Sequence, residues 1–322
     1  MNPNDADIAG GGFGIAVGHA SDPAGATGCT VVMAATGSLR ASAFAFGRAT
    51  ATREFALLDP VASNDRVDAI LLTGGSAYGL DAAAGVMRWM EERNRGYAIA
   101  YGVVPIVPAA VVFDLAPLGK FSSRPTPDMA YAACESATAS GWAEGSVGAG
   151  TGCTVGKLYG PAHAMKGGLG VGFAGKGLAA TAIAVVNAVG HIRDRDGRII
   201  AGPRDPRGGI ADSEQVGMAR GLFVDPGANT TIAVVALNCG FSKVDLNRIA
   251  RAASAALARR IGPSGTSYDG DVVFAACPSE APLAAPADLV RAEMAATAAL
   301  EDAIVRAVQQ ARGRDGVPGL AD

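Results

Sequence analysis

The sequence predicts an α/β protein in which helices pack against sheets in layers. Apolar, strand-like segments alternate loosely along the chain with segments of helical apolar spacing, as in layered α/β domains. Hydrophobic residues make up 49% of the 322 residues, which is enough for a substantial buried core in one large domain or two modest ones. The 44 glycines favour tight turns and close packing of helices on sheets.

The first half of the chain predicts two strands followed by a strand, turn and helix. Residues 28–35 and 41–46 are apolar and rich in branched side chains, and the turn formers between them predict a hairpin. Residues 67–73 predict a short buried strand, and 80–92 have the apolar spacing of a helix.

The second half predicts one long loop that leads into a buried strand. Residues 204–229 are polar and rich in glycine and proline, which is typical of an exposed loop. Residues 230–238, TTIAVVALN, predict a strongly apolar strand. Ser242 is the expected N-cap of the next helix, and a last helix is expected over about 286–311.

Composition excludes several classes of partner. The net charge is −3 and no basic cluster occurs, so neither nucleic acid nor an anionic membrane is an expected partner. The longest apolar runs, 103–112 and 182–189, are too short to cross a bilayer. The stretch 1–12 is acidic where a secretory signal is basic, so we expect a cytoplasmic protein that acts on a small molecule or peptide.

The cysteines and histidines predict neither a metal site nor a cofactor. No C-x-x-C or H-E-x-x-H pattern occurs, and the thiols are expected to be reduced and mostly buried. The residues concerned are Cys29, Cys134, Cys153, Cys239, Cys277, His19, His163 and His191.

Two motifs approximate known catalytic loops without matching them. Residues 150–158, GTGCTVGKL, have glycines at the wrong spacing for a phosphate loop, and Leu158 replaces the hydroxyl that binds magnesium. A glycine-rich turn that presents Lys157 is the better interpretation. Residues 74–79, GGSAYG, follow a strand as a serine-hydrolase elbow does, but the second glycine is one residue late. Ser76 as nucleophile therefore remains a weaker alternative to a substrate cleft at a helix start.

Asn229-Thr230 stands where the long loop becomes the buried strand. A small hydroxyl residue at such a junction is well placed to attack a strained peptide bond. The pair also begins a glycosylation sequon, which carries no meaning in a protein that is not secreted.

Several ordered motifs span most of the chain: Asp59-Pro60 and the segments 67–92, 104–115, 145–158, 229–238 and 269–275. Together they resemble the P1 peptidases, a family that includes L-aminopeptidase/D-esterase, β-peptidyl aminopeptidases and the 6-aminohexanoate oligomer hydrolase.

The resemblance implies a zymogen with an αββα sandwich of the N-terminal-nucleophile type. A single domain over 1–322 would cut itself between Asn229 and Thr230 into chains 1–229 and 230–322, and Thr230 would become the catalytic nucleophile. A free α-amine has a pKa of about 8 and can accept the hydroxyl proton, which suits a chain poor in histidine. The fold also resembles ornithine acetyltransferase, so acyl transfer is a neighbouring chemistry.

Further roles follow from the resemblance by position. Asn187 looks like the oxyanion donor, and Lys157 looks like the cation that tunes Thr230. Asp269 and Asp271 look like the carboxylates that hold Lys157 and the new ammonium, with a plain turn around Gly270 as the alternative.

The substrate side of the predicted site is less defined. Ser76 and Tyr78 resemble substrate-cleft residues of the family, whereas Phe113 stands where the 6-aminohexanoate oligomer hydrolase, which degrades nylon oligomers, has tyrosine. The resemblance implies a homo-oligomer, such as a tetramer, and we expect an aminopeptidase for small or unusual N-terminal residues. Endo-hydrolysis of 6-aminohexanoate oligomers and a non-catalytic ligand-binding relative are the alternatives.

Overall fold

The computed structural model describes residues 12–220 and 229–322. The acidic stretch 1–11 and the end of the predicted loop, 221–228, lie outside the described residues. The described chain forms two facing sheets with helices on both outer faces, which is the αββα order.

The first sheet has five strands. Its third and fourth strands in space run parallel and its other neighbours are antiparallel. In spatial order the strands are Ile15–Asp22, Thr27–Ala34, Ala69–Thr73, Ala109–Val111 and Thr52–Arg53.

The second sheet has six strands, and Thr230–Leu237 lies in its interior. That strand pairs antiparallel with Leu178–Asn187 and parallel with Val272–Pro278. In spatial order the strands are Gly168–Lys176, Leu178–Asn187, Thr230–Leu237, Val272–Pro278, Leu39–Ala45 and Arg66–Val67.

Short strands complete the described chain. They pair as Thr154–Val155 with Met165–Lys166, as His191–Arg193 with Ile199–Ala201 and Ile261–Gly262, and as Tyr97–Ile99 with Gly102–Val104.

The helices cover the outer faces of both sheets. Ala83–Glu91 and Pro127–Glu135 pack on the first sheet, while Lys243–Ala253, Ala255–Arg260 and Leu289–Gln309 pack on the second. Ser213–Arg220 is a further helix, and 3-10 turns occur at Phe55–Leu58, Ser76–Ala82, Gly148–Gly150, Lys157–Tyr159, Pro161–His163 and Pro286–Asp288. Among these described helices, none has both the length and the apolar character needed to cross a membrane.

The apolar run of Thr230–Leu237 is explained by burial on both of its faces. Alternate side chains, such as Val234, point between the sheets and pack with Phe274 of the neighbouring strand. The others, such as Val235, point outward against the helix Leu289–Gln309. Because both faces are covered, all eight positions of the strand are buried.

Two local predictions differ from the structure. The strands predicted at 28–35 and 41–46 are present, but each belongs to a different sheet, so they form no hairpin with each other. The predicted loop 204–229 contains the helix Ser213–Arg220, whose first turn is capped by the Asp212 carboxylate. The five cysteines are unpaired, as expected, and all but Cys239 are buried.

Candidate active site

Strand register brings the separate sequence motifs together at one end of the second sheet. Thr230 pairs with Asn187, the last residue of the neighbouring antiparallel strand. On the other side, Asn229 forms a parallel bridge with Asp269, and Asp271 directly precedes the strand Val272–Pro278. Residues distant in sequence therefore meet around the bond between Asn229 and Thr230.

The carbonyl oxygen of Asn229 accepts two hydrogen bonds. The Thr230 hydroxyl donates to it at 2.6 Å, and the Gly270 N–H donates at 3.0 Å. Asn229 is fully buried and Thr230 is only 4% exposed. A hydroxyl and a backbone donor thus lie beside the same carbonyl group, away from bulk water.

Lys157 reaches this bond through the Asn229 side chain. Its ammonium donates to Asn229 Oδ1 at 3.2 Å, to Asn187 Oδ1 at 3.0 Å and to the Asn187 carbonyl at 2.9 Å. Asn187 is held in turn, because Oδ1 also accepts the Thr154 N–H at 3.0 Å and Nδ2 donates to the Phe113 carbonyl at 2.8 Å. The amide of Asn187 therefore organises Lys157.

The two carboxylates bind the backbone around Thr230. Asp271 accepts the Thr231 N–H at 2.6 Å and the Gly265 N–H at 3.1 Å. Asp269 accepts the Thr266 N–H at 2.8 Å, and it interacts electrostatically with Lys157.

Burial shifts the pKa values of these groups toward neutrality. Burial lowers the pKa of Lys157 to about 7, because the ammonium loses its hydration, and nearby acidic groups such as Asp269 offset part of this effect. Burial, together with repulsion from Asp269, raises the pKa of Asp271 to about 7. Burial also raises the pKa of Asp269. Such shifts cluster at functional sites.

The predicted cleft residues are connected to this centre to different degrees. Phe113 enters it through its backbone carbonyl, which holds Asn187. Ser76 has a left-handed backbone, φ 52°, and its N–H donates to the Val112 carbonyl at 3.0 Å. Tyr78 is 55% exposed and lies under the Arg124 guanidinium, 3.5 Å from the ring centre.

Asp114 is a contact that the sequence motifs did not single out. It is 1% exposed and accepts the Gly75 N–H at 2.6 Å and the Thr27 hydroxyl at 2.7 Å. Burial raises its pKa to about 6. Asp114 thereby ties the turn before Ser76 to the segment that holds Asn187. The signal for this role in the sequence was an acidic residue inside the apolar segment 104–115.

Among the described residues, His191, Asp212 and Glu214 form a group of potential metal ligands. Arg193 forms ion pairs with both carboxylates, at 3.6 Å and 2.8 Å. His191 Nδ1 accepts the Ser213 N–H at 3.0 Å. Protein donors therefore engage His191 Nδ1 and both carboxylates, whereas His191 Nε2 is buried without a hydrogen-bond partner among the described residues.

Comparison with known proteins identifies the family. The model of peptidase family S58 matches residues 7–321. The chain belongs to peptidase family S58. An uncharacterized aminopeptidase of Mycobacterium tuberculosis is 42% identical over 339 aligned positions, covering 96% of this chain and 95% of that protein. The 6-aminohexanoate-oligomer endohydrolase of a Kocuria species is 32% identical, covering 83% and 74%.

A solved structure supports the fold. The L-aminopeptidase D-Ala-esterase/amidase of Ochrobactrum anthropi, a variant of the Ntn-hydrolase fold, superposes with a TM-score of 0.66 at 20% identity, over 94% of this chain and 86% of that one. The αββα sandwich and the family resemblance predicted from the motifs are confirmed. This S58 chain is a hydrolytic enzyme with peptidase or amidohydrolase activity.

Proposed function

We propose that this S58 chain is a self-processing aminopeptidase whose nucleophile is Thr230, exposed as a new N-terminus by cleavage after Asn229. The contact that carries the proposal is the Thr230 hydroxyl at 2.6 Å from the Asn229 carbonyl oxygen. The Gly270 N–H on the same oxygen, at 3.0 Å, adds a donor where negative charge would develop.

Self-cleavage would proceed by an N-to-O acyl shift. Thr230 Oγ attacks the Asn229 carbonyl carbon, an O–C bond forms and the C–N bond breaks, and the hydroxyl proton ends on the Thr230 nitrogen. Water then hydrolyses the ester between the two residues. The products are an Asn229 carboxylate and a Thr230 with a free amine and a free hydroxyl.

The first step needs a proton acceptor other than the Thr230 amine, because that nitrogen is still part of the peptide bond. Lys157 is the strongest candidate. Because its pKa is about 7, the Lys157 amine is neutral in about half of the molecules at pH 7. The amine also contacts the Asn229 side chain. Asp271, also with a pKa of about 7, is the alternative acceptor.

In the mature enzyme the α-amine of Thr230 takes over as base. Its ordinary pKa of about 8 leaves a useful neutral fraction near pH 7. Thr230 Oγ attacks the substrate carbonyl carbon, the acyl group passes to Oγ, and the amine of the substrate leaves with a proton. Water then releases the acyl group and regenerates the hydroxyl.

Aminopeptidase activity is preferred over cleavage within oligomers because the relative named as an aminopeptidase is more similar and spans nearly the whole chain. Endo-hydrolysis of 6-aminohexanoate oligomers is the second candidate, favoured by the relative of that name. A panel of alanine p-nitroanilide, its N-acetyl derivative and a 6-aminohexanoate oligomer separates them. The aminopeptidase is expected to need the free amine of the first substrate.

Intact-mass measurement tests the nucleophile without any choice of substrate. Wild type is expected as two chains that meet at Asn229/Thr230, of 229 and 93 residues (322 − 229). Thr230→Ala should remain one uncut chain, while Thr230→Ser should still be cut. Thr231→Ala is the matched control, since it removes the same hydroxyl from the next buried residue and should leave cleavage intact. An uncut, folded wild type would refute the proposal.

Cytoplasmic location and assembly of several copies belong to the same proposal. A cytoplasmic enzyme suits five unpaired thiols, which persist in a reducing compartment. Size-exclusion chromatography with light scattering would measure the number of copies.

A further inference from the structure

A short segment outside every motif wraps the backbone of the two carboxylate residues. It follows the strand Leu39–Ala45 and comprises residues 46–49. The N–H groups of Phe46 and Gly47 donate to the Asp271 carbonyl at 2.9 and 3.0 Å. Those of Arg48 and Ala49 donate to the Asp269 carbonyl at 2.8 and 2.9 Å. We call residues 46–49 the backbone clamp.

The backbone clamp fixes the orientation of one peptide unit, the one between Asp269 and Gly270. In a trans peptide the C=O and the N–H point in opposite directions. The clamp holds the Asp269 C=O on one side, and the Gly270 N–H then points to the other side, where it meets the Asn229 carbonyl at 3.0 Å. Two donors of the clamp, the N–H groups of Arg48 and Ala49, thus set the direction of a single donor at the scissile bond, while those of Phe46 and Gly47 hold the next carbonyl, that of Asp271.

Glycine at position 47 is needed for this close approach. A Cβ at Gly47 would lie 2.1 Å from the Asp269 carbonyl oxygen and 2.5 Å from the Asp271 nitrogen. Both distances are far below van der Waals contact, and both neighbours are backbone atoms with little freedom to move. Any side chain at this position would therefore push the peptide unit of Asp269 away from the clamp.

We propose that Gly47 is a positioning residue for self-cleavage, because the backbone clamp aims the Gly270 N–H at the Asn229 carbonyl. Gly47 itself touches no reacting atom. The inference rests on the proposed function. It assigns the orientation of the Gly270 N–H to the backbone clamp, which carries no ionisable catalytic group. In the mature enzyme, the substrate carbonyl would take the place of the Asn229 carbonyl, and the Gly270 N–H would donate to it.

The first test compares two substitutions of the same kind. Gly47→Ala is expected to slow self-cleavage about 100-fold, the cost typical of a lost or misplaced oxyanion donor. Gly240→Ala is the matched control, since its Cβ would meet another backbone carbonyl, that of Ala281, at 2.4 Å, beyond the opposite end of the strand Thr230–Leu237. It should lower stability and leave the cleavage rate within about twofold of wild type. Rates are measured by intact mass after refolding of uncut chain.

A second variant decides the question if Gly47→Ala does not fold. Replacing Ala49 by lactic acid removes one N–H from the clamp and leaves the side chain unchanged. Self-cleavage should slow, and in the mature enzyme kcat per folded molecule should fall at an unchanged KM, with the folded fraction measured by circular dichroism. A loss of stability alone would lower the folded fraction and leave kcat per folded molecule unchanged. If wild type cuts itself and either variant, once folded, cuts at the wild-type rate, the clamp proposal is overturned. If wild type stays uncut, the proposed function fails and this inference fails with it.

Discussion

The pH dependence of the proposed self-cleavage would report which group accepts the Thr230 proton. Burial lowers the pKa of Lys157 to about 7, so its neutral fraction rises about tenfold between pH 6 and pH 8. If Lys157 is the acceptor, the rate should rise by the same factor and level off above pH 8. The sign is fixed, because only the neutral amine can take the proton.

Lys157→Arg isolates this role from that of a positive charge. Arginine keeps a cation and several donors near Asn229 and Asn187, but it stays protonated over the whole range. We expect a cleavage rate at least about 100-fold below wild type at pH 8, without a rise between pH 6 and pH 8.

Refolding of uncut chain gives the rates directly. Protein recovered from inclusion bodies is refolded at low pH, shifted to the chosen pH, quenched with acid and weighed by mass spectrometry. Asp271→Asn removes the other group with a pKa of about 7, so a profile that persists in this variant belongs to Lys157. A flat wild-type profile, or Lys157→Arg cutting at the wild-type rate, would refute the reasoning.

Two further predictions concern stability. Asp114→Ala should lower the free energy of unfolding in urea by about 2 kcal/mol, because it leaves the buried Gly75 N–H without its acceptor. Asp114→Asn keeps an acceptor for that N–H and can donate to Thr27, so it should lose less than half as much, and equal losses in the two variants would contradict this prediction. In uncut Thr230→Ala protein, the raised pKa of Asp271 means that the folded state holds a proton that the unfolded chain releases near pH 4. The contribution of Asp271 to stability therefore falls as pH rises from about 4 to 7. Asp271→Asn should remove this pH-dependent contribution, and equal slopes of stability against pH in the two proteins would contradict the prediction.

The sequence indicated Thr230 because it stands where a polar loop becomes an apolar strand. Asn187 could be proposed only from the family resemblance, because nothing in the local sequence shows that it pairs with Thr230. The false hairpin shows the limit, since a turn between two strands does not reveal that one pairs with Ala69–Thr73 and the other with Val272–Pro278. Strand partners distant in sequence are set by packing of the whole domain.

Contacts made by the backbone were not predictable in the same way. The clamp at 46–49 acts through N–H groups that every residue but proline has, so no side-chain pattern marks it. The helix Ser213–Arg220 was missed because its sequence is polar, and its start depends on the cap at Asp212.

The order of strands in the second sheet determines whether the two chains left by a cut after Asn229 could come apart. The strands Thr230–Leu237 and Val272–Pro278 are neighbours, and they lie between Leu178–Asn187 on one side and Leu39–Ala45 on the other. A break after Asn229 would therefore leave the smaller chain interleaved with the larger one, hydrogen-bonded along both edges. Neither chain could dissociate without breaking the hydrogen bonds between these strands, so the cut product should unfold in one cooperative transition. Each chain made alone should lack a complete hydrophobic core.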